Sequence, residues 1–135
     1  MLFRSPLARL AGAGSMARAP REIAVAPAPA LGKALASAGW TLAGLDAIEI
    51  NEAFACVPLT SARVLARGDS AVEETVLGRL NVNGGAVAIG HPPGASGARL
   101  VLTLARHLRQ RGGGRGAASI CGGLGQADAV ALEAD

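Results

Sequence analysis

The strongest constraint on this chain is the run Asn81-Val-Asn-Gly-Gly-Ala-Val-Ala-Ile-Gly-His-Pro-Pro-Gly-Ala-Ser-Gly-Ala-Arg-Leu100, a glycine-rich loop that passes directly into a helical pattern. Glycines open backbone conformations closed to other residues. Pro92 and Pro93 then stiffen the segment next to a single histidine, His91. A histidine fixed in this way can exchange a proton near neutral pH from a constant position, which is what general acid/base chemistry requires. The competing reading is an ordinary surface or core histidine. The loop matches neither a phosphate-binding Gly-x-x-x-x-Gly-Lys-Ser/Thr pattern nor a strand-linked Gly-x-Gly-x-x-Gly, so nucleotide hydrolysis has little support.

Around this loop the pattern predicts a layered α/β domain. Residues 1–27 lack a clear period, run into Ala26-Pro-Ala-Pro29, and read as an irregular or disordered lead-in. A helix is expected over Ala28–Ala38, with Pro29 in its first turn and Gly39 as its cap. Asp46–Ile50 alternates like a strand. Residues 53–67 read as a helix with Pro58 as an awkward early member, and 68–80 as a polar connection with a weak helical tendency. After the loop, Ala98, Val101, Leu104, Ala105 and Leu108 share one helical face. Gly112-Gly-Gly114 ends that helix. Strands at 117–120 and 128–132 then flank a second glycine turn as an antiparallel pair.

Composition narrows the function. The chain of 135 residues suits one domain, half of it is hydrophobic, and aromatics make up only 2%, so the core is built from Ala, Val, Leu and Ile. Scattered arginines and the near absence of stacking residues argue against a nucleic-acid partner. No stretch approaches the roughly 20 apolar residues of a membrane span, so no membrane partner is expected. Two cysteines in unlike settings imply reduced thiols and a cytoplasmic location. Arg4, Arg9, Arg18 and Arg21 precede the first acidic residue, Glu22. That bias leaves a mitochondrial transit segment within residues 1–21 as the alternative.

Three other residues qualify for chemistry. Cys121 follows a small apolar strand and precedes Gly122 and Gly123. It reads either as a buried structural cysteine or as a thiol whose pKa is lowered by glycine amides, with His91 as its partner. Asn51, at a strand end, can orient a water or a carbonyl oxygen, or else cap a helix. Glu52 reads as structural. Cys56 reads as a small core filler, and His107 as a solvated side chain on an Arg-rich helix. Because ligands gather at the carboxyl ends of strands in α/β sheets, Asn51, Cys121 and the helix entrance at His91 are expected to converge.

Asn51-Glu-Ala-Phe54, the loop motif through Arg99 and the Cys121-Gly-Gly-Leu-Gly125 turn, in this order, resemble the C-terminal half of a thiolase of the acetyl-CoA acetyltransferase type. The resemblance covers roughly residues 20–135 and implies a partial thiolase-like α/β/α fold with its opening strand–helix–strand missing, residues 28–135 forming a truncated C-terminal domain. It implies Claisen condensation of acyl-CoA or thiolysis of 3-ketoacyl-CoA, with coenzyme A thioesters as substrates and no permanently bound cofactor or metal. His91 would activate a nucleophilic cysteine, Asn51 would hold an oxyanion water, Cys121 would move the α-carbon proton, and the Gly123 amide would stabilise the tetrahedral oxyanion. Neither Cys56 nor Cys121 matches the family's acylated cysteine, and the family's coenzyme A loop region has no counterpart. The implied partner is a thiolase N-terminal half or a second copy, and the chain is expected to be inactive alone. The alternative is a non-catalytic module that assembles with a thiolase-like partner. Pro93 and the order Cys-Gly-Gly-Leu-Gly depart from the commoner family pattern.

Overall fold

The structure is a computed structural model that describes residues 6–135. Arg4 and the rest of residues 1–5 in the Arg-rich start lie outside the described residues. The elements are β1 (Arg9–Ala17), α1 (Pro27–Ala38), β2 (Ala47–Ile50), α2 (Cys56–Ala66), α3 (Ser70–Leu77), α4 (Ala86–Ile89), α5 (Ser96–Gln110), β3 (Gly114–Cys121) and β4 (Gln126–Ala134). Four strands form one mixed sheet in the order β1-β4-β3-β2. β2 runs parallel to β3, whereas β4 is antiparallel to both β3 and β1.

Strand alternation divides the core in two. Ile48 and Ile50 of β2, Ala117 and Cys121 of β3, and Ala127 and Ala129 of β4 pack under α1, α2 and α3. Ala47, Ala118, Leu132 and Ala134 face the other way, against Leu100, Leu104, Ala105 and Leu108 of α5. All four residues of β2 are buried, as expected of a strand covered on both faces. The expected α/β/α layering is therefore present. On α5 the buried stripe is turned slightly from the expected one: Leu100 and Ser96 point inward while Ala98 is exposed.

The irregular lead-in over 1–27 is corrected, because Arg9–Ala17 is a strand that pairs along β4. A strand therefore stands ahead of α1. Its glycines hid it, since glycine weakens strand propensity. They are there for α1: a Cβ at Gly12 would lie 2.5 Å from the Ala34 carbonyl oxygen, and one at Gly14 2.6 Å from that of Ala30. Strand and helix backbones thus meet with no side chain between them. Glu133 of β4 then ties the two strands that flank β4 together, accepting from Arg115 of β3 at 2.9 Å and from Arg9 of β1. Arg115 foremost, and then Arg9, hold its carboxyl below the usual carboxylate range.

Two helices differ from expectation for local reasons. α2 begins at Cys56 rather than 53, which puts Pro58 third in the helix, where its missing N–H has no intrahelical partner to lose. Its inward face is Val57, Pro58, Ser61, Ala62 and Ala66, so Cys56 lies off that face and is exposed; its reading as a core filler is corrected. The connection over 68–80 contains α3, started by Asp69, whose Oδ1 accepts from the amides of Ala71 at 2.9 Å and Val72 at 3.1 Å.

Replacing Gly14 by valine is expected to separate β1 from α1 and to cost about 1–3 kcal/mol, as overpacking does. Urea unfolding of the two proteins side by side measures this. An unchanged midpoint would show that the close approach carries no stability.

Candidate active site

Parallel strands β2 and β3 end together, and the next residues form the floor of the site. The Asn51 amide donates to the Ser119 carbonyl at 3.0 Å, carrying the β2–β3 pairing one residue further. On the outer side of β2, Asn81 does the work of a missing strand. Its backbone sits in the left-handed region at φ 47°. Its Oδ1 accepts from the Ile50 amide at 2.8 Å, and its Nδ2 donates to the Ile50 carbonyl at 2.9 Å. A side-chain amide carries the same donor and acceptor as a peptide, which is why asparagine fits here.

Glu52 holds the glycine loop over this floor. Its carboxylate accepts from the Val87 amide at 2.8 Å, at the start of the α4 turn, and from Asn81 Nδ2 at 3.3 Å. Gly85 leaves room for it: a Cβ there would lie 2.5 Å from the Glu52 carboxyl carbon. Glu52 is structural, as expected, but the turn it caps is α4 and not α2. Asn51 caps no helix, since α2 follows Ala55. His107 is not a free solvated side chain either. Its Nδ1 lies 3.3 Å from Asn83 Nδ2, joining the loop to α5.

The loop delivers His91 to Asn51. Asn51 Nδ2 lies 3.3 Å from His91 Nε2, and Asn51 itself is 1% exposed. The other ring nitrogen, Nδ1, lies 2.7 Å from Ser96 Oγ in the first turn of α5. The amides of Ala95 and Ser96 both donate to the Pro92 carbonyl at 2.9 Å, and Arg99 Nη1 donates to the Gly90 carbonyl at 2.7 Å. The backbone on either side of His91 is thus tied to one helix. Asn51 Oδ1 and Arg99 Nη2 are buried without a hydrogen-bond partner among the described residues.

Cys121 ends β3 at the same sheet edge, but its thiol lies in the apolar cluster under α1 and α2 and makes no hydrogen bond to His91 or Asn51. Burial pushes its pKa up, and a backbone hydrogen bond only partly offsets this. Of the two readings of this thiol, the lowered pKa is therefore corrected: burial outweighs any help from the turn, two of whose amides are used elsewhere. Gly122 donates to the Gln126 carbonyl at 2.7 Å and Leu124 to Gln126 Oε1 at 2.9 Å. Gly123 is exposed, and its N–H has no partner among the described residues.

Sequence reasoning missed Glu49, Asn81, Ser96 and Arg99 as members of the site. Glu49 alternates onto the α5 face of β2 and is 3% exposed. Burial, reinforced by the charge of Glu52 and opposed by Arg99, pushes its pKa up to about 7. An acidic residue inside an otherwise apolar four-residue strand was the available signal. Among the described residues, no group of three or more His, Cys, Asp and Glu side chains could hold a metal, and no helix is long and apolar enough to cross a membrane.

The family model for the thiolase C-terminal domain matches residues 4–134, β1 included. Acetyl-CoA acetyltransferase IB of Candida tropicalis is 45% identical over 128 residues, covering 95% of this chain and 30% of that protein. Beta-ketoadipyl-CoA thiolase of Pseudomonas putida is 43% identical over 129 residues, covering 96% of this chain and 31% of its own length. The structure of human mitochondrial 3-ketoacyl-CoA thiolase in complex with CoA superposes with a TM-score of 0.87 at 39% identity, covering 97% of this chain and 31% of that one. The chain therefore spans about 30% of the length of these relatives.

Glu49 makes stability depend on pH in a direction that can be checked. Below about 4.5 its carboxyl is neutral whether the chain is folded or not; between 4.5 and about 7 the unfolded chain releases a proton that the folded one keeps. Stability therefore falls as pH rises through that window, by about 3 kcal/mol at most. Denaturant unfolding at pH 5 and pH 8 should show the Glu49→Gln variant losing less stability than the parent chain. Equal pH dependence in the two would show that Glu49 is ionised without cost.

Proposed function

Since this chain belongs to the thiolase family, we propose that it supplies the acid/base half of an acyl-coenzyme A acyltransferase site. The observation that carries the reading is the 3.3 Å approach of buried Asn51 to His91 at the carboxyl ends of two parallel strands. The reaction is thiolysis of a 3-ketoacyl-CoA, or Claisen condensation in reverse, and coenzyme A thioesters are the substrates. The names of relatives support this class, and one neighbour is a complex with CoA.

In the cleavage direction, a nucleophilic cysteine thiol gives its proton to His91 as its sulfur attacks the 3-keto carbonyl. The oxygen of the tetrahedral adduct becomes an anion, to which the exposed N–H of Gly123 donates. Collapse breaks the carbon–carbon bond, leaving an acylated cysteine and a carbanion at the α-carbon of the departing acetyl-CoA. Cys121 protonates that carbon. Its raised pKa keeps the thiol protonated until it is needed. The thiol of incoming coenzyme A then gives its proton to the Cys121 thiolate and attacks the acyl-cysteine, whose thioester oxygen takes hydrogen bonds from His91 and from a water that Asn51 Oδ1 holds. The bond from the acyl carbon to the cysteine sulfur breaks, acyl-CoA leaves, and the cysteine sulfur takes its proton back from His91.

The acylated thiol comes from a thiolase N-terminal half, because Cys56 is exposed on α2 beyond the Asn-Glu-Ala-Phe motif and Cys121 serves the α-carbon. An apolar rim supports such a partner: Phe54, Val87, Ile89 and Leu124 are each more than 60% exposed. A non-catalytic assembly module would use the same rim, and turnover separates the two readings.

Mixing this chain with a thiolase N-terminal half is expected to yield acetoacetyl-CoA cleavage that neither half shows alone. His91→Ala and Cys121→Ser should each remove most of it, whereas Cys56→Ala and His107→Gln should leave it nearly intact. Binding without turnover would favour the assembly module. Equal damage from Cys56→Ala and Cys121→Ser would overturn the assignment of the two thiols.

A further inference from the structure

The ring of His91 is held at both nitrogens, and the two holds are not equivalent. Nε2 faces a side-chain amide at 3.3 Å, whereas Nδ1 faces the hydroxyl of Ser96 at 2.7 Å. Ser96 is fully buried and carries a single hydroxyl proton. Its oxygen also lies 3.1 Å from the Pro92 carbonyl, which can only accept. A hydroxyl donating to Pro92 presents its lone pairs to Nδ1, and a lone pair there requires the imidazole proton to be on Nδ1. Asn51 completes the pattern, since its NH2 group, placed against Nε2, donates to a ring nitrogen that bears no proton.

We infer that Ser96 is a positioning residue that fixes neutral His91 as the Nδ1–H tautomer and so confines its proton traffic to Nε2. This rests on the acid/base role of His91 proposed above and specifies which of its atoms acts. The hydrogen bond made by one ring nitrogen decides the state of the other. Here the arrangement is His91 Nδ1–H to Ser96 Oγ, and Ser96 O–H to the Pro92 carbonyl. When Nε2 takes the proton of the attacking thiol, the Nδ1 proton stays on the ring, donated to Ser96 Oγ. No proton has to leave by the buried side of the ring. Ser96 carries no charge, so it orients His91 without the fixed negative partner that a carboxylate would supply. Ser96 is the first residue of α5, so the helix itself sets the orientation of the ring.

Nitrogen-15 chemical shifts of the imidazole test this directly on the 135-residue chain labelled at histidine. His91 and His107 are its only two histidines, and a His107→Gln sample assigns them. At a pH where His91 is neutral, the expected result is a protonated-type shift at Nδ1 and an unprotonated-type shift at Nε2. The reverse pattern in the parent chain would overturn the inference whatever the activity. Ser96→Ala should move the shifts toward the Nε2–H form, and Ser96→Thr, which keeps a hydroxyl, should restore the Nδ1–H form. A Ser96→Ala variant that stays folded and keeps the parent's shifts would also overturn it. In the reconstituted thiolase assay Ser96→Ala should lower kcat with KM nearly unchanged. An absence of turnover in the parent mixture, with the Nδ1–H tautomer intact, would fault the acyltransferase reading and leave the tautomer assignment standing.

Discussion

Everything at the site depends on the side chain of Asn81 pairing with the backbone of Ile50. β2 has β3 on one side only. Its other side would expose peptide groups that must find partners. Residues 79–81 supply them, with the Ile48 amide donating to the Arg79 carbonyl at 2.9 Å and the Asn81 amide donating to the Ile48 carbonyl at 2.8 Å. The Asn81 side chain then carries the pairing to Ile50, the last residue of β2. Asn51 is thereby fixed from both sides. The same asparagine reaches Glu52, which caps the α4 turn, so the strand end and the glycine loop are registered to each other.

The site is assembled at a cost in buried polarity. Asn51, Glu49 and Ser96 are buried, and Asn51 Oδ1 and Arg99 Nη2 lack partners among the described residues. Each unpaired buried group costs about 1–3 kcal/mol. Elsewhere the buried polar groups are satisfied: Ser61 donates to the Ala24 carbonyl at 3.3 Å, and Ser119 lies 2.9 Å from the Asp128 carbonyl. Unsatisfied polarity is concentrated where β2 meets the first turn of α5. That is the pattern expected of a site organised for chemistry and supported by a well-paired scaffold.

The apolar layers absorb this cost with small residues. Alanine supplies much of both clusters, and at Gly12 and Gly14 even a methyl group is excluded. Close backbone packing replaces the large aromatic side chains that are scarce in this chain. The same device misleads sequence reading, because a strand written in glycine, alanine and serine carries no hydrophobic period.

What the sequence by itself determined were the features encoded locally. The order of helices and strands around the loop, the antiparallel β3–β4 pair, the cap at Gly39, and the candidacy of Asn51, His91 and Cys121 follow from periodicity, turn chemistry and motif. Tertiary structure decided the rest. β1 exists because α1 and β4 accept it, and Cys56 is exposed because Pro58 moves the start of α2. The Cys121 thiol has a raised pKa because it sits in an apolar layer, whatever glycines follow it in the chain. His91 and Asn51 stand 40 positions apart, and only the paired end of β2 and the first turn of α5 bring them to hydrogen-bond distance. Residue type records which groups can exchange a proton; the burial and partners that decide how they do so come from segments distant in the chain.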